Sequence, residues 1–169
     1  MKTIWFTGIS GAGKTTLAKQ YRSAYNPYAV LVDGDEVRKI MNPTLGYENN
    51  DRFRNVETAS RMCKLINEDG HIVLATLSSP LEEQRKRAFN IIGRKNIFLV
   101  YVSCGIETAI SRDPKGLYAK YYKNEITNMA GLDIPYETPD DADLVLNTEF
   151  FDIQTCIKTL HDSLLKRRK

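Results

Sequence analysis

Apolar residues fall into two patterns that alternate along the chain: short unbroken runs, and stripes recurring every three or four positions. The runs are Lys2 to Thr7, Ala29 to Val32, His71 to Thr76, Asn96 to Ser103 and Asp143 to Asn147. They are short and apolar almost throughout, as strands covered on both faces are, so they predict five buried strands. The stripes predict the helices between them. Leu17, Ala18, Tyr21 and Ala24 follow the first run until Asn26-Pro27 ends the helix, and Val37 to Met41 forms a short helix that Asn42-Pro43 breaks. After a loop from Leu45 to Asn50, a long helix capped by Asp51 carries Phe53, Val56, Ala59, Cys63 and Ile66 on one face and stops at Gly70. Pro80 opens a polar helix reaching about Ile92, and Ile153, Ile157, Leu160 and Leu164 stripe a closing helix. This alternation predicts an α/β fold, a parallel five-stranded sheet flanked by helices with right-handed crossovers, whose ligands bind at the carboxyl ends of the strands.

From Arg112 to Pro139 the periodicity fades while Lys, Tyr, Gly and Pro accumulate. A stretch of that length inside a compact domain usually has a function, and a lid over residues 112–139 is the expectation. With 169 residues the chain suits a single domain, 1–169, with a substantial core. Hydrophobic residues at 42% and charged residues at 27% describe a globular protein rather than a disordered one. A net charge of +3 suits anionic small molecules and is too small to argue for nucleic acid. Cys63, Cys104 and Cys156 are odd in number and widely spaced, which supports neither a disulfide framework nor a zinc site and points to a cytoplasmic setting. No stretch is apolar enough for a signal peptide or a membrane span, so no membrane partner is expected. His71 reads as a strand start and His161 as part of an exposed helix face. Lys166 to Lys169 reads as a solvated basic tail.

Chemistry enters with Gly8-Ile9-Ser10-Gly11-Ala12-Gly13-Lys14-Thr15-Thr16, between the first strand and first helix. The glycines let successive backbone N–H groups curl around a phosphate chain, and the helix beginning at Lys14 adds its positive end. Lys14 would reach the β- and γ-phosphates, and the Thr15 hydroxyl would sit on Mg²⁺. The fold expected is therefore that of a P-loop NTPase, with ATP as donor.

Phosphoryl transfer also needs an acid to support the metal and a group to receive the acceptor's proton. The third strand runs out through Ala75, Thr76, Leu77 and Ser78 without an acid, so the acid must come from elsewhere. Asp33 and Asp35 end the second strand on the P-loop side; one would hold a metal-bound water and the other orient or deprotonate the acceptor, with Asp35 preferred as base. The competing reading is a turn that caps the next helix. Arg52 and Asn55 share a face at the start of the long helix, where an anionic acceptor is favoured, and Arg38 follows the acidic pair closely. Taken alone, each arginine suits a surface ion pair equally well.

Together the chain resembles adenylylsulfate kinases over nearly its whole length. The resemblance rests on Gly8 to Thr16, Asp33-Gly34-Asp35-Glu36-Val37-Arg38, Leu45-Gly46-Tyr47, Asp51-Arg52 with Asn55, Ser79-Pro80, Arg112 to Tyr118, and Gly131-Leu132-Asp133 before Pro135-Tyr136. It implies a homodimeric, ATP- and Mg²⁺-dependent kinase acting on the 3′-hydroxyl of a nucleotide with a 5′-phosphoanhydride. It also implies that Asp35, Arg38, Arg52, Asn55, Ser79 and Lys115 line the acceptor site, that Arg112 belongs to the ATP side, and that the lid supplies Lys115. The departures cluster at the acceptor. Family members usually stack the acceptor's adenine between two phenylalanines, and Tyr47 and Met129 stand at those positions. Ser78-Ser79-Pro80-Leu81 replaces the family's Ile-Ser-Pro-Tyr, Ala130 replaces a Thr, and Tyr121-Tyr122 replaces an Ala-Arg pair. A lost stacking ring is worth roughly 1–3 kcal/mol per base, enough to reset base preference. Ser78, Leu81 and Met129 therefore join the acceptor candidates. A branch of the family phosphorylates cytidine 5′-diphosphoramidate in capsular polysaccharide decoration, and the altered pocket tips the expectation slightly towards that acceptor over adenylylsulfate.

Overall fold

In the computed structural model, which describes residues 2–167, the five apolar runs form one parallel sheet. Its strands are β1 (Thr3–Thr7), β2 (Val30–Asp33), β3 (Val73–Thr76), β4 (Ile97–Ser103) and β5 (Leu144–Asn147), in the order β2-β3-β1-β4-β5. β1 lies in the middle, with Thr3 paired to Val73 on one side and to Ile97 on the other. All its residues are buried, which is why its sequence is a run rather than an alternation. The chain leaves β1 for β2 on one flank, and later passes from β3 to β4 on the other. That reversal opens a crevice at the carboxyl end of β1, the general position for a ligand in such sheets.

Helices α1 (Lys14–Tyr25) and α7 (Ile153–Arg167) cover one face, packing Leu17, Ala18, Tyr21, Ile157, Leu160 and Leu164 against Ile4, Phe6, Leu74 and Phe98. Helix α2 (Gly34–Met41) follows β2. Helices α3 (Asn49–Glu68) and α4 (Glu82–Ile92) cover the other face with Val56, Ala59, Cys63 and Ala88 against Trp5, Ala75 and Leu99. Ile4 and Phe6 thus point one way and Trp5 the other, the period of two expected of a strand.

Several expectations need correction. Phe53 is not on the inner face of α3. That face reads Arg52, Asn55, Val56, Ala59 and Cys63, a helical stripe whose first turn is polar because it borders the crevice. Asp51 does not cap α3; Glu48 precedes the helix, and Asp51 Oδ2 accepts from the Gly46 amide at 2.9 Å. Ala24 is exposed, and α4 begins two residues after Pro80. Two helices, α5 (Ile106–Arg112) and α6 (Leu117–Tyr122), arise where no stripe was read. They bury only Ala109 and Tyr118 respectively, too little to write a period into the sequence. His161 is half-buried rather than exposed, stacked on Tyr25 with ring centroids 4.1 Å apart. Arg167 is no loose tail: it bonds Asp143 at 2.7 Å and lies over the Phe98 ring. Arg168 and Lys169 lie outside the described residues.

Candidate active site

The loop from Gly8 to Gly13 turns β1 into α1 at the crevice. Its path requires glycine at two points: a Cβ on Gly8 would stand 2.3 Å from the Val102 carbonyl oxygen, and one on Gly11 would stand 2.6 Å from that of Ala109. The loop is also held from outside. Tyr118 Oη donates to the Ser10 carbonyl at 3.0 Å, Thr148 Oγ1 to that of Ala12 at 2.8 Å, and Arg112 to Gly11 and Thr148. Ala12 itself is buried in the core beneath, and Thr16 lines the cleft. Lys14 Nζ donates to the carbonyls of Gly8 at 2.9 Å and Ile9 at 2.7 Å. Burial, with Lys115 nearby, pulls its ammonium down to about 8. A cation so placed gains most from an anion arriving beside it.

Asp33 ends β2 as the hub of a small network. Its Oδ2 accepts from Thr15 Oγ1 and from Thr76 Oγ1, both at 2.7 Å, and its Oδ1 from the Asp35 amide at 3.0 Å. Burial pushes this carboxyl up, but the two hydroxyls, the amide and the charge of Lys115 outweigh it and hold it below the usual carboxylate range. Thr76 explains the missing acid of β3: it is paired with Asp33 across β2 and β3 and points a hydroxyl where a carboxylate would otherwise stand. Asp33 does cap α2 through the Asp35 amide, so the turn reading and the chemical one hold together. Among the described residues no cluster of three or more His, Cys, Asp or Glu could cage a metal ion. Thr15 and Asp33 instead fit a Mg²⁺ held largely by phosphate oxygens and water.

Asp35, in the first turn of α2, forms an ion pair with Lys115 from the segment between α5 and α6. Burial pulls Lys115 down, and the hydrogen bond and charge of Asp35 more than restore it, leaving it above its ordinary value. On the far side, Arg38 donates to the Gly46 carbonyl, and Arg52 to those of Tyr47 at 2.9 Å and Asn128 at 2.6 Å. Both guanidiniums lie against the Tyr47 ring, at 4.9 and 5.6 Å from its centroid. Burial lowers both arginines, and for Arg52 the neighbouring Arg38 adds to it. Two cations held together in a cleft favour an anionic guest.

One cleft of about 930 Å³ joins these groups, lined by Ser10, Lys14 and Thr15 at one end and Arg38, Tyr47, Arg52 and Met129 at the other. Ser78 and Ser79 line it too, although the Ser79 hydroxyl is spent on Trp5 Nε1 at 3.3 Å and Thr7 Oγ1 at 3.0 Å. Asn55 donates to the Gly34 carbonyl at 2.9 Å, tying α3 to α2. Leu81 is a correction: it does not line the cleft, because it precedes α4 and its amide bonds Gln84. Met129 packs with Ala109 and Tyr118 in a small separate core together with Ile110, Leu117 and Leu132. Sequence reasoning missed Thr76, Gln84, Thr148 and Phe151. Thr148 and Phe151 follow β5, at the carboxyl end where ligands bind, and that position was the available signal.

The family model for adenylylsulphate kinase matches residues 1–147. The chain is 39% identical to the adenylyl-sulfate kinase of Clostridium kluyveri over 164 residues, 95% of this chain and 82% of that one. It is 38% identical to that of Shewanella pealeana, covering 95% and 80%. The Mycobacterium tuberculosis APS kinase CysC, solved in complex with AMPPNP and APS, superposes with a TM-score of 0.90 at 35% identity, covering 96% of each chain. Shikimate kinase from Acinetobacter baumannii shares the fold, with a TM-score of 0.62 at 16% identity. The chain belongs to the adenylylsulphate kinase family, phosphotransferases that use ATP with Mg²⁺ and take an alcohol group as acceptor.

Proposed function

We propose that this protein transfers the γ-phosphoryl group of ATP to the 3′-hydroxyl of a nucleotide bearing a 5′-phosphoanhydride, with adenylylsulfate as the acceptor. The Asp35–Lys115 pair carries the reading, because it joins a phosphate loop and a two-arginine pocket in one cleft. The P-loop amides and Lys14 hold the β- and γ-phosphates, and Arg112, Thr148 and Phe151 flank the ATP side. Mg²⁺ would supply neutralisation of the charge that develops on the phosphates there. Thr15 would hold it, with Asp33 orienting the Thr15 hydroxyl. Asp35 accepts the hydrogen bond of the acceptor hydroxyl. Orienting that hydroxyl is the larger part of the role, because phosphoryl transfer depends more on alignment than on basicity. Lys115 then lies within reach of the transferring group, while Arg38 and Arg52 hold the 5′-anhydride. The lid excludes water that would otherwise hydrolyse ATP. The resemblance extends the proposal to a homodimer. Among the described residues no helix is long and apolar enough to cross a membrane.

The relatives favour adenylylsulfate, and nothing in them singles out the cytidine acceptor. Cytidine 5′-diphosphoramidate stays as the second reading because Met129 lines the cleft where a second ring would stack, leaving Tyr47 as the aromatic partner. An ADP-release assay with both acceptors side by side tests the two. Turnover with adenylylsulfate is expected; a clear preference for the cytidine compound replaces the first reading by the second, and no release with either overturns both.

A further inference from the structure

Arg85, near the start of α4, is only 2% exposed, yet it forms no ion pair with a carboxylate among the described residues. Its Nη1 donates instead to two successive main-chain carbonyls, Ser79 at 3.0 Å and Pro80 at 3.1 Å. A buried guanidinium without an ionic partner is costly, and a well-packed apolar side chain often serves stability better. The residues it holds line the cleft, and Arg85 itself does not. Ser79 has φ at 34°, in the left-handed region. The other two described non-glycine residues with positive φ, Asn124 and Asn128, are of the type that adopts it readily, whereas a serine stays there only where its surroundings hold it. The Ser79 carbonyl otherwise meets only Thr7 Oγ1, at 3.5 Å, while that of Pro80 also accepts from the Glu137 amide at 2.9 Å. Arg85 is thus the principal donor to the carbonyl of the strained residue.

We propose that Arg85 is a positioning residue for the acceptor: from behind the cleft, its guanidinium fixes the Ser79–Pro80 turn in the geometry that makes it a wall of the acceptor pocket. The proposal rests on the reading of that end of the cleft as the acceptor site. The donor end does not depend on this hold. The Ser78 carbonyl, next along the chain towards the P-loop, is kept by Thr7 Oγ1 at 2.7 Å, and the loop is braced by Tyr118, Thr148 and Arg112. Loss of Arg85 should therefore fall on the acceptor and spare the donor. The turn also has a built-in reporter, because Trp5, the single tryptophan of the chain, donates its indole N–H to Ser79 Oγ at 3.3 Å.

Calorimetric titration of ADP with Mg²⁺, and then of adenylylsulfate into the ADP-loaded protein, tests this in wild type, Arg85→Met and Arg85→Lys, with Trp5 emission recorded for each without ligand. In Arg85→Met adenylylsulfate affinity is expected to fall about tenfold or more while ADP affinity moves less than about twofold, and Trp5 emission should shift to shorter wavelength as its bond to Ser79 loosens. Arg85→Lys keeps the charge and a donor on a shorter reach, so it should recover most of the loss, to within about threefold of wild type. Unchanged adenylylsulfate affinity or unchanged Trp5 emission in a folded Arg85→Met overturns the proposal, and so do equal losses for the two ligands. If Arg85→Met does not fold, an Arg85→Lys with wild-type affinity and emission overturns it. A wild type that binds ADP but not adenylylsulfate overturns the acceptor reading instead, and the Trp5 shift, which needs no acceptor, then decides whether Arg85 holds the turn.

Discussion

At the donor end of the cleft the groups that would meet phosphate are main-chain amides, fixed by glycines packed against Val102 and Ala109 and braced by Thr148, Arg112 and Tyr118. At the acceptor end they are long side chains, Arg38, Arg52 and Lys115, each held by a partner on a different element. The donor end is therefore set by local chain geometry and tolerates little change. The acceptor end depends on how α2, α3 and the segments carrying Lys115 and Asn128 come together, and side-chain replacement there leaves the loop undisturbed. Tyr47 and Met129 lie at that end.

Substitutions that separate the two ends should differ in what they cost. Lys14→Met is expected to be the most severe, lowering kcat/KM by about 10³ or more with every acceptor, because it removes the cation that would meet the transferring phosphate from the loop. It should also raise the melting temperature of the nucleotide-free protein. Lys14 is pulled down to about 8 by burial and then by Lys115, so between about pH 8 and its ordinary value of 10.5 the unfolded chain binds more protons than the folded one. Stability contributed by this group therefore rises with pH across that window, and below it the charged ammonium is a standing cost that Met removes. A melting temperature that falls in Lys14→Met, measured at pH 7 without nucleotide, would contradict this account.

Asp35→Asn comes next and touches the junction of the two ends. It should lower kcat about 10²- to 10⁴-fold while ATP binding stays close to wild type, since Asp35 bonds Asp33 and Lys115 and influences the P-loop only through its charge near Lys14. Asp33→Asn should instead weaken Mg²⁺-ATP binding, because Thr15 and Thr76 lose the carboxylate they share. Steady-state kinetics over a Mg²⁺ titration separates them. If Asp33→Asn damages kcat at saturating Mg²⁺ and Asp35→Asn does not, the roles are reversed.

The same contrast explains what could be read in the sequence. The P-loop was legible because its chemistry needs contiguous residues, and the sheet was legible because a strand buried on both faces is an unbroken apolar run. Asp33 and Asp35 could be named as a pair but not divided. The hydroxyl that distinguishes them, Thr76, carries no charge and lies on another strand. Gln84 and Thr148 were invisible for a similar reason: an amide or hydroxyl becomes notable only once its partners, or its lack of one, can be seen. The resemblance points to Leu81 because it stands at the family's tyrosine, yet it follows the turn at Ser79, with φ at 34°, and precedes α4 outside the cleft lining. Arg52 and Asn55 were read correctly as sharing a face, and Phe53 wrongly as sharing the core, because the inner stripe of α3 becomes polar where it reaches the cleft.

The smallest effect should lie far from both ends. Arg167 bonds Asp143 Oδ1 at 2.7 Å and stacks on Phe98 at 5.3 Å, fastening the end of α7 to the sheet. Asp143 is already bonded by Arg94 at 3.1 Å and by the Leu99 amide at 2.7 Å, so its carboxylate is not stranded when Arg167 is removed. Arg167→Ala should therefore cost only about 1 kcal/mol, the sum expected of a partly exposed ion pair and a cation–π contact, in chemical denaturation. Salt should shrink that difference, because the ionic share is screened while the stacking on Phe98 is not. Turnover should stay at the wild-type level, since α7 meets the cleft at its opposite end through Ile153 and Gln154. A loss of activity in Arg167→Ala would mean that the ATP side is less rigid than its backbone bracing implies.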